Sequence, residues 1–251
     1  MVCRYVLSLL LVTVLLGSVT ADAGTFTVFA FGDSITQGLQ RNASGAEWGV
    51  RSPQYGTRLP STNGDMGYAP VLEKLVRSGS GGKDKALVYN WGYRGERSST
   101  GVNRISRVLA SRPADFILIM EGANDLYAGI SPDTTKFNVG AMADKALNRG
   151  VLPILGGVTP NTNSSNGYIV WQYYYPLIYN AAYERGIPFV DMYNPFAGPR
   201  GERWAGYNSG DGLHLNSTGY SFMAELWYEA VKQELHSLAS MPWISVLLLK
   251  E

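Results

Sequence analysis

Five short apolar runs, rich in branched and aromatic residues, punctuate the middle of the chain: Phe26–Phe31, Ala86–Asn90, Phe116–Met120, Val151–Gly156 and Ile187–Asp191. Their apolar residues are nearly continuous rather than alternating, which predicts strands covered on both faces. Between and after them lie stretches with apolar residues at helical spacing: Tyr68–Arg77, Gly101–Ala110, Phe137–Asn148, Tyr168–Glu184 and Ser217–His236. The order βαβαβαβαβα predicts an α/β domain built on a parallel sheet, with right-handed crossovers. No internal repeat or linker divides it. The connection 38–67 is polar and reads as irregular, and Ser78–Gly82 reads as a flexible turn. In an open parallel sheet, ligands bind at the carboxyl ends of the strands. The chemistry is therefore expected just after each apolar run.

The two ends of the chain read differently from this body. Arg4, the apolar stretch Val6–Leu16 and the small residues through Ala23 have the order of a secretory signal peptide, cleaved after Ala21 or Ala23. The stretch is shorter than the roughly 20 residues that span a bilayer. Residues 1–23 are thus expected to be a leader, residues 24–240 the domain, and the protein secreted or periplasmic with no membrane span in the mature chain. Residues 241–251 form an apolar tail, expected to pack on the surface or to serve in sorting or docking.

Composition narrows the function. The chain has 251 residues, with 21 Lys and Arg against 20 Asp and Glu. It therefore lacks the basic excess of a nucleic-acid binder. One cysteine, Cys3, excludes an intrachain disulfide framework and cysteine-rich zinc modules. Only His214 and His236 are available as imidazoles, so neither a histidine-rich metal site nor any cofactor is expected. Dinucleotide and P-loop glycine patterns are absent, and so is the Gly-x-Ser-x-Gly elbow of α/β-hydrolases.

Four blocks follow the apolar runs: Gly32-Asp33-Ser34-Ile35-Thr36, Asn90-Trp91-Gly92-Tyr93-Arg94-Gly95, Glu121-Gly122-Ala123-Asn124-Asp125 and, before the last helix, Asp211-Gly212-Leu213-His214. A serine hydroxyl needs a base to become a nucleophile, and His214 is the candidate base. Asp211, three residues earlier, shares its face on a turn and can hold the imidazole Nδ1–H. The Asn124 amide and the Gly95 backbone N–H are candidate donors to a developing oxyanion. Ser34 could instead merely cap the short helix it begins. His236, near a helix end, reads as solvated. Asp33 and Asp125 read as supports of loop geometry.

Together and in this order, the blocks resemble those of the SGNH hydrolases, the GDSL esterase/lipase family, over about residues 26–236. The resemblance implies a three-layer α/β/α sandwich, flavodoxin-like, with five parallel strands in the order 2-1-3-4-5. It also implies a Ser34–His214–Asp211 triad and an oxyanion hole formed by the Ser34 N–H, Gly95 and Asn124. Gly92 and Gly95 compete for the glycine role; the family pattern Asn-x-Gly-x-x-Gly favours Gly95, leaving Gly92 as a tight turn. A serine ester hydrolase working through an acyl-enzyme is implied, without metal or cofactor.

The substrate is less legible. Trp48, Trp91 and Tyr93 lie near the blocks and are expected to line the substrate site, since rings can stack on sugars or line an acyl pocket. A polar surround and an exported chain favour short-chain or carbohydrate acyl esters, on a free molecule or a polysaccharide. A lipase, lysophospholipase or thioesterase is the alternative within the family, and a glycan-binding protein without turnover is the alternative outside it. Asn42, Asn163 and Asn216 fit the N-glycosylation pattern.

Overall fold

The computed structural model describes residues 25–79, 85–162, 169–199 and 202–239. The expected leader, the tail 241–251 and Asn163 lie outside them. The chain runs β1 (Thr25–Gly32), α1 (Ser34–Gln37), β2 (Leu39–Arg41), β3 (Glu47–Gly49), α2 (Tyr68–Gly79), β4 (Lys85–Gly92), α3 (Ser98–Leu109) and β5 (Phe116–Met120). It continues through α4 (Ala123–Tyr127), α5 (Pro132–Leu147), β6 (Leu152–Gly156), a π-helical turn (Val170–Tyr174), α6 (Tyr175–Tyr183) and β7 (Phe189–Val190). Two short helices, α7 (Asn194–Ala197) and α8 (Trp204–Tyr207), precede the long α9 (Ser217–Ala239).

The main sheet is β4-β1-β5-β6-β7, every pairing parallel, which is the order 2-1-3-4-5 of the five apolar runs. Helices α2 and α9 pack together, as do α3, α5 and α6, and the sheet lies between these two layers. The central strands β1 and β5 are buried almost along their length because both faces are covered, which is why their sequences do not alternate. Trp227 of α9 is fully buried against Gly156, where an added Cβ would lie 2.7 Å from the indole ring.

Three elements depart from the sequence reading for identifiable reasons. The connection 38–67 contains a small antiparallel hairpin, β2–β3, whose strands of three residues each are too short to show periodicity. Helix α3 begins at Ser98 rather than Gly101 because its cap is remote: Asp125 accepts from the Ser98 N–H at 2.8 Å and from the Ser98 hydroxyl. Helix α5 begins five residues early, at Pro132, with the Ser131 side chain accepting from the Thr134 N–H at 3.2 Å. Ser131-Pro132 is a local start signal, outweighed in the sequence reading by the apolar spacing that starts at Phe137.

Candidate active site

The sheet register assembles the site. Gly32, the last residue of β1, pairs with Gly92 at the end of β4 and with Met120 at the end of β5. Three strands thus stop in one line, and the segments 33–34, 93–95 and 121–124 leave the sheet side by side. Close approach requires glycine here. A Cβ on Gly92 would lie 2.1 Å from the Gln37 backbone nitrogen, so β4 ends directly against α1. Gly92 does not have a positive φ; its constraint is this contact, not the tight turn expected from sequence. Gly92→Ala should therefore cost about 2 kcal/mol or more in folding stability. An unchanged midpoint in urea unfolding would contradict this.

Asp33, not Ser34, caps α1: its Oδ1 accepts from the Ile35 N–H at 2.9 Å. The Ser34 hydroxyl is thereby left for His214, whose Nε2 lies 2.9 Å from Ser34 Oγ. On the other side of the ring, His214 Nδ1 lies 2.6 Å from Asp211 Oδ2. Ser34 and His214 are 5% and 4% exposed, so this chain of three groups is largely shielded from water. Burial pushes the Asp211 carboxyl up, but hydrogen bonds from the His214 ring and from the His214 and Leu213 N–H groups hold it below the usual carboxylate value.

The loop carrying Asp211 and His214 is fixed by side chains on either side of it. The Asn208 amide donates to the His214 carbonyl at 2.8 Å, while its oxygen accepts from the Gly210 and Gly212 N–H groups. Ser209 Oγ bridges this loop to β2, accepting from the Arg41 N–H at 3.1 Å and donating to the Arg41 carbonyl at 2.5 Å. Asn216 caps α9 through the Gly219 N–H and donates to the Gly206 and Asn208 carbonyls, so its amide is already committed.

On the opposite side lies a set of donors. Gly95 has φ +72°, a left-handed conformation that glycine accepts freely, and nothing stands within 4 Å of where a Cβ would be. Among the described residues, neither the Ser34 nor the Gly95 N–H has a backbone acceptor. Asn124 Nδ2 donates to the Glu96 carbonyl at 2.8 Å and to Asp33 Oδ2 at 3.1 Å. To serve a developing oxyanion it would exchange one of these, the longer bond to Asp33 being the weaker of the two.

Sequence reasoning missed the support under this loop. Glu96 and Arg104 form a buried ion pair, and Arg104 Nη2 also donates to the Trp91 carbonyl at 2.9 Å, with its guanidinium 4.1 Å from the Phe31 ring centroid. Arg104 carries no local sequence signal, because its partners arrive from other elements. Glu121 is also buried, and burial beside Glu96 and Asp33 pushes it well above the usual carboxylate value. Burial likewise raises Asp33 to about 7, against the opposing Ile35 hydrogen bond.

An acid whose folded-state pKa lies above its unfolded value stabilises the fold fully below the unfolded pKa and loses that contribution as pH rises through the folded one. For Asp33 the window runs from 3.8 to about 7. Asp33→Asn should remove this component, so its stability should fall less steeply between pH 4 and 7 than that of the parent. Urea midpoints across that range would check it, parallel curves being the contrary result.

An open cavity of about 760 Å³ lies over Ser34, lined also by Leu39, Arg41, Arg94, Gly95, Asn124, Tyr127, Thr162 and the 210–214 loop. The three aromatic residues expected to line it do not. Trp91 packs edge-on to Phe29, with ring centroids 5.9 Å apart, and sits beneath Gly56. Trp48 is bonded through its Nε1 to Gln40 at 2.8 Å. Tyr93 faces a separate cavity with Glu96, Thr100 and Arg104. An aromatic beside a motif carries no information about which side of its strand or loop it occupies. No helix among the described residues is long and apolar enough to cross a membrane, and no group of three or more His, Cys, Asp or Glu among them could hold a metal ion.

The model of the GDSL-like lipase/acylhydrolase family matches residues 30–222. Esterase TesA of Pseudomonas aeruginosa is 28% identical over 150 residues, 60% of this chain and 63% of that protein. The match thus spans less than two thirds of the relative's length. Among solved structures, the psychrotrophic esterase EstA from Pseudoalteromonas sp. has a TM-score of 0.61 at 17% identity, over 84% of this chain and 98% of its own. A catalytic mutant of the acetylxylan esterase Axe2 from Geobacillus stearothermophilus also has a TM-score of 0.61, at 16% identity over 82% and 93% of the two chains. These two likenesses concern the fold.

Proposed function

The chain belongs to the GDSL-like lipase/acylhydrolase family, and from that premise we propose that it is a secreted serine ester hydrolase acting through an acyl-enzyme. The observation that carries this reading is the unbroken relay Asp211–His214–Ser34, with contacts of 2.6 and 2.9 Å. In the first step His214 Nε2 takes the Ser34 proton as Oγ bonds to the ester carbonyl carbon. The carbonyl oxygen becomes an oxyanion held by the Ser34 and Gly95 N–H groups and by Asn124. The tetrahedral adduct collapses, the C–O bond to the alcohol breaks, and His214 returns its proton to the leaving oxygen. Water then attacks the acyl-enzyme by the same route, giving the acid and free Ser34. Asp211 holds the ring so that Nε2 faces Ser34 and balances the positive charge that forms on it.

The cavity supports water-soluble esters, with acylated sugars as the substrate class. Its lining is dominated by glycine, arginine, amide and hydroxyl groups, with Leu39, Leu213 and the Tyr127 ring as its larger apolar parts. A lipase would need a more continuous apolar wall for a long acyl chain. Residues 1–23 fit a leader that directs export. Initial rates on matched acetate and long-chain esters test the substrate reading. Acetates should be turned over faster, and faster hydrolysis of long-chain esters would favour a lipase. Glycan binding without hydrolysis of any ester would favour the non-catalytic alternative.

A further inference from the structure

The β2–β3 hairpin forms one wall of the cavity and carries a charge arrangement that the ester-cleaving steps do not use. Arg41 and Glu47 are direct cross-strand partners and so share one face of the hairpin. Glu47 is committed elsewhere: both its oxygens accept from the Arg94 guanidinium, at 2.6 and 2.9 Å. That fork–fork pair ties β3 to the Arg94–Gly95 segment, and it holds the Glu47 carboxyl below its usual value. Arg41 is the cation left over. It is exposed, lines the cavity, and forms no ion pair among the described residues. Its backbone is nevertheless fixed, since both its N–H and its carbonyl are bonded to Ser209 Oγ. A guanidinium on an anchored backbone, facing a ligand cavity and without a side-chain acceptor among the described residues, is arranged to receive a planar anion.

The side of the reaction it serves follows from the proton path. The leaving alcohol oxygen must lie within reach of His214 Nε2 to be protonated. Arg41 is stitched through Ser209 to the loop that carries His214, the Ser209 backbone N–H donating to the His214 carbonyl at 2.9 Å. Apart from the Ser34 N–H, the oxyanion donors lie on other segments, at Gly95 after β4 and Asn124 in α4. We propose that Arg41 binds a carboxylate on the alcohol half of the substrate, so that the preferred ester is an acyl group on an acidic sugar. This assignment rests on the ester-hydrolase reading above.

Three esters separate the outcomes: an O-acetylated glucuronic acid, the same sugar as its methyl uronate, and a neutral sugar hemisuccinate with the carboxylate on the acyl side. The purified full chain should favour the acetylated uronate over its methyl ester by about five- to tenfold in kcat/KM, the scale of one partly exposed charge-assisted pair. The preference should shrink toward unity in roughly 0.5 M salt, where screening acts over a few ångströms. Arg41→Gln should bring the ratio near one and Arg41→Lys should restore part of it. Equal rates on the two acetates in the parent would overturn the proposal, as would a preference that survives Arg41→Gln or salt. An Arg41-dependent preference for the hemisuccinate would overturn the alcohol-side assignment. Hydrolysis of none of the three, or hydrolysis that persists in Ser34→Ala, would instead sink the ester-hydrolase reading and this one with it.

Discussion

Ser34→Ala should lower kcat on a short-chain aryl ester by about 10⁴-fold or more while leaving the fold intact. The two halves of this expectation have separate causes. The nucleophilic oxygen is removed outright, and the oxyanion donors alone give only residual catalysis. The fold survives because, among the described residues, the hydroxyl's side-chain partner is His214 alone and α1 is capped by Asp33 rather than by Ser34. Single-turnover kinetics and a thermal melt of the same preparation would check both. Comparable turnover in parent and variant would remove Ser34 from the reaction. A large fall in melting temperature would show that the residue had been misassigned to chemistry when its role was structural.

Asp211→Asn should cost about 10³- to 10⁴-fold in kcat, nearly as much as loss of the nucleophile. The carboxylate accepts from His214 Nδ1 at 2.6 Å, fixing the tautomer that leaves Nε2 free to take the serine proton. An asparagine amide presented to the same nitrogen offers a donor where an acceptor is needed, which favours the unproductive tautomer. Asp211 Oδ1 also accepts from the Leu213 and His214 N–H groups, bonds that an asparagine oxygen keeps but without the negative charge, so the variant should lose a little stability as well. As an acid with a lowered folded-state value, Asp211 stabilises the fold above its unfolded pKa of 3.8 and loses that contribution as pH falls through the lower folded one. The stability difference between parent and variant should accordingly narrow below pH 4. An unchanged kcat would leave a Ser34–His214 dyad and move Asp211 to a loop-holding role.

Much of this architecture was legible in the chain. The five apolar runs became the five strands of the main sheet because burial on both faces writes itself as continuous hydrophobicity. The strand order was available only through the family resemblance. The motif residues were legible as types, since Ser, His, Asp, Asn and Gly at strand ends suit one reaction, and the structure brings Ser34, His214 and Asp211 into hydrogen-bond contact. What was not legible depends on remote partners. Asp125 starting α3, Arg104 bracing the 91–96 segment and Ser209 joining Arg41 to the His214 loop are each defined by contacts across many residues of sequence. The aromatic residues show the opposite failure. Trp48, Trp91 and Tyr93 are close to the motifs in sequence, yet pleat and loop direction turn them away from the cavity, one wall of which is the β2–β3 hairpin.

The most direct test of the central claim is covalent trapping. The purified chain should react with a fluorophosphonate ester at a stoichiometry of one, and peptide mass spectrometry should locate the adduct on Ser34. The reaction should be abolished in Ser34→Ala and strongly slowed in His214→Ala, because the base that activates the hydroxyl is then missing. A label on any other residue, or ester hydrolysis that continues with Ser34 fully modified, would contradict the Ser34–His214–Asp211 account.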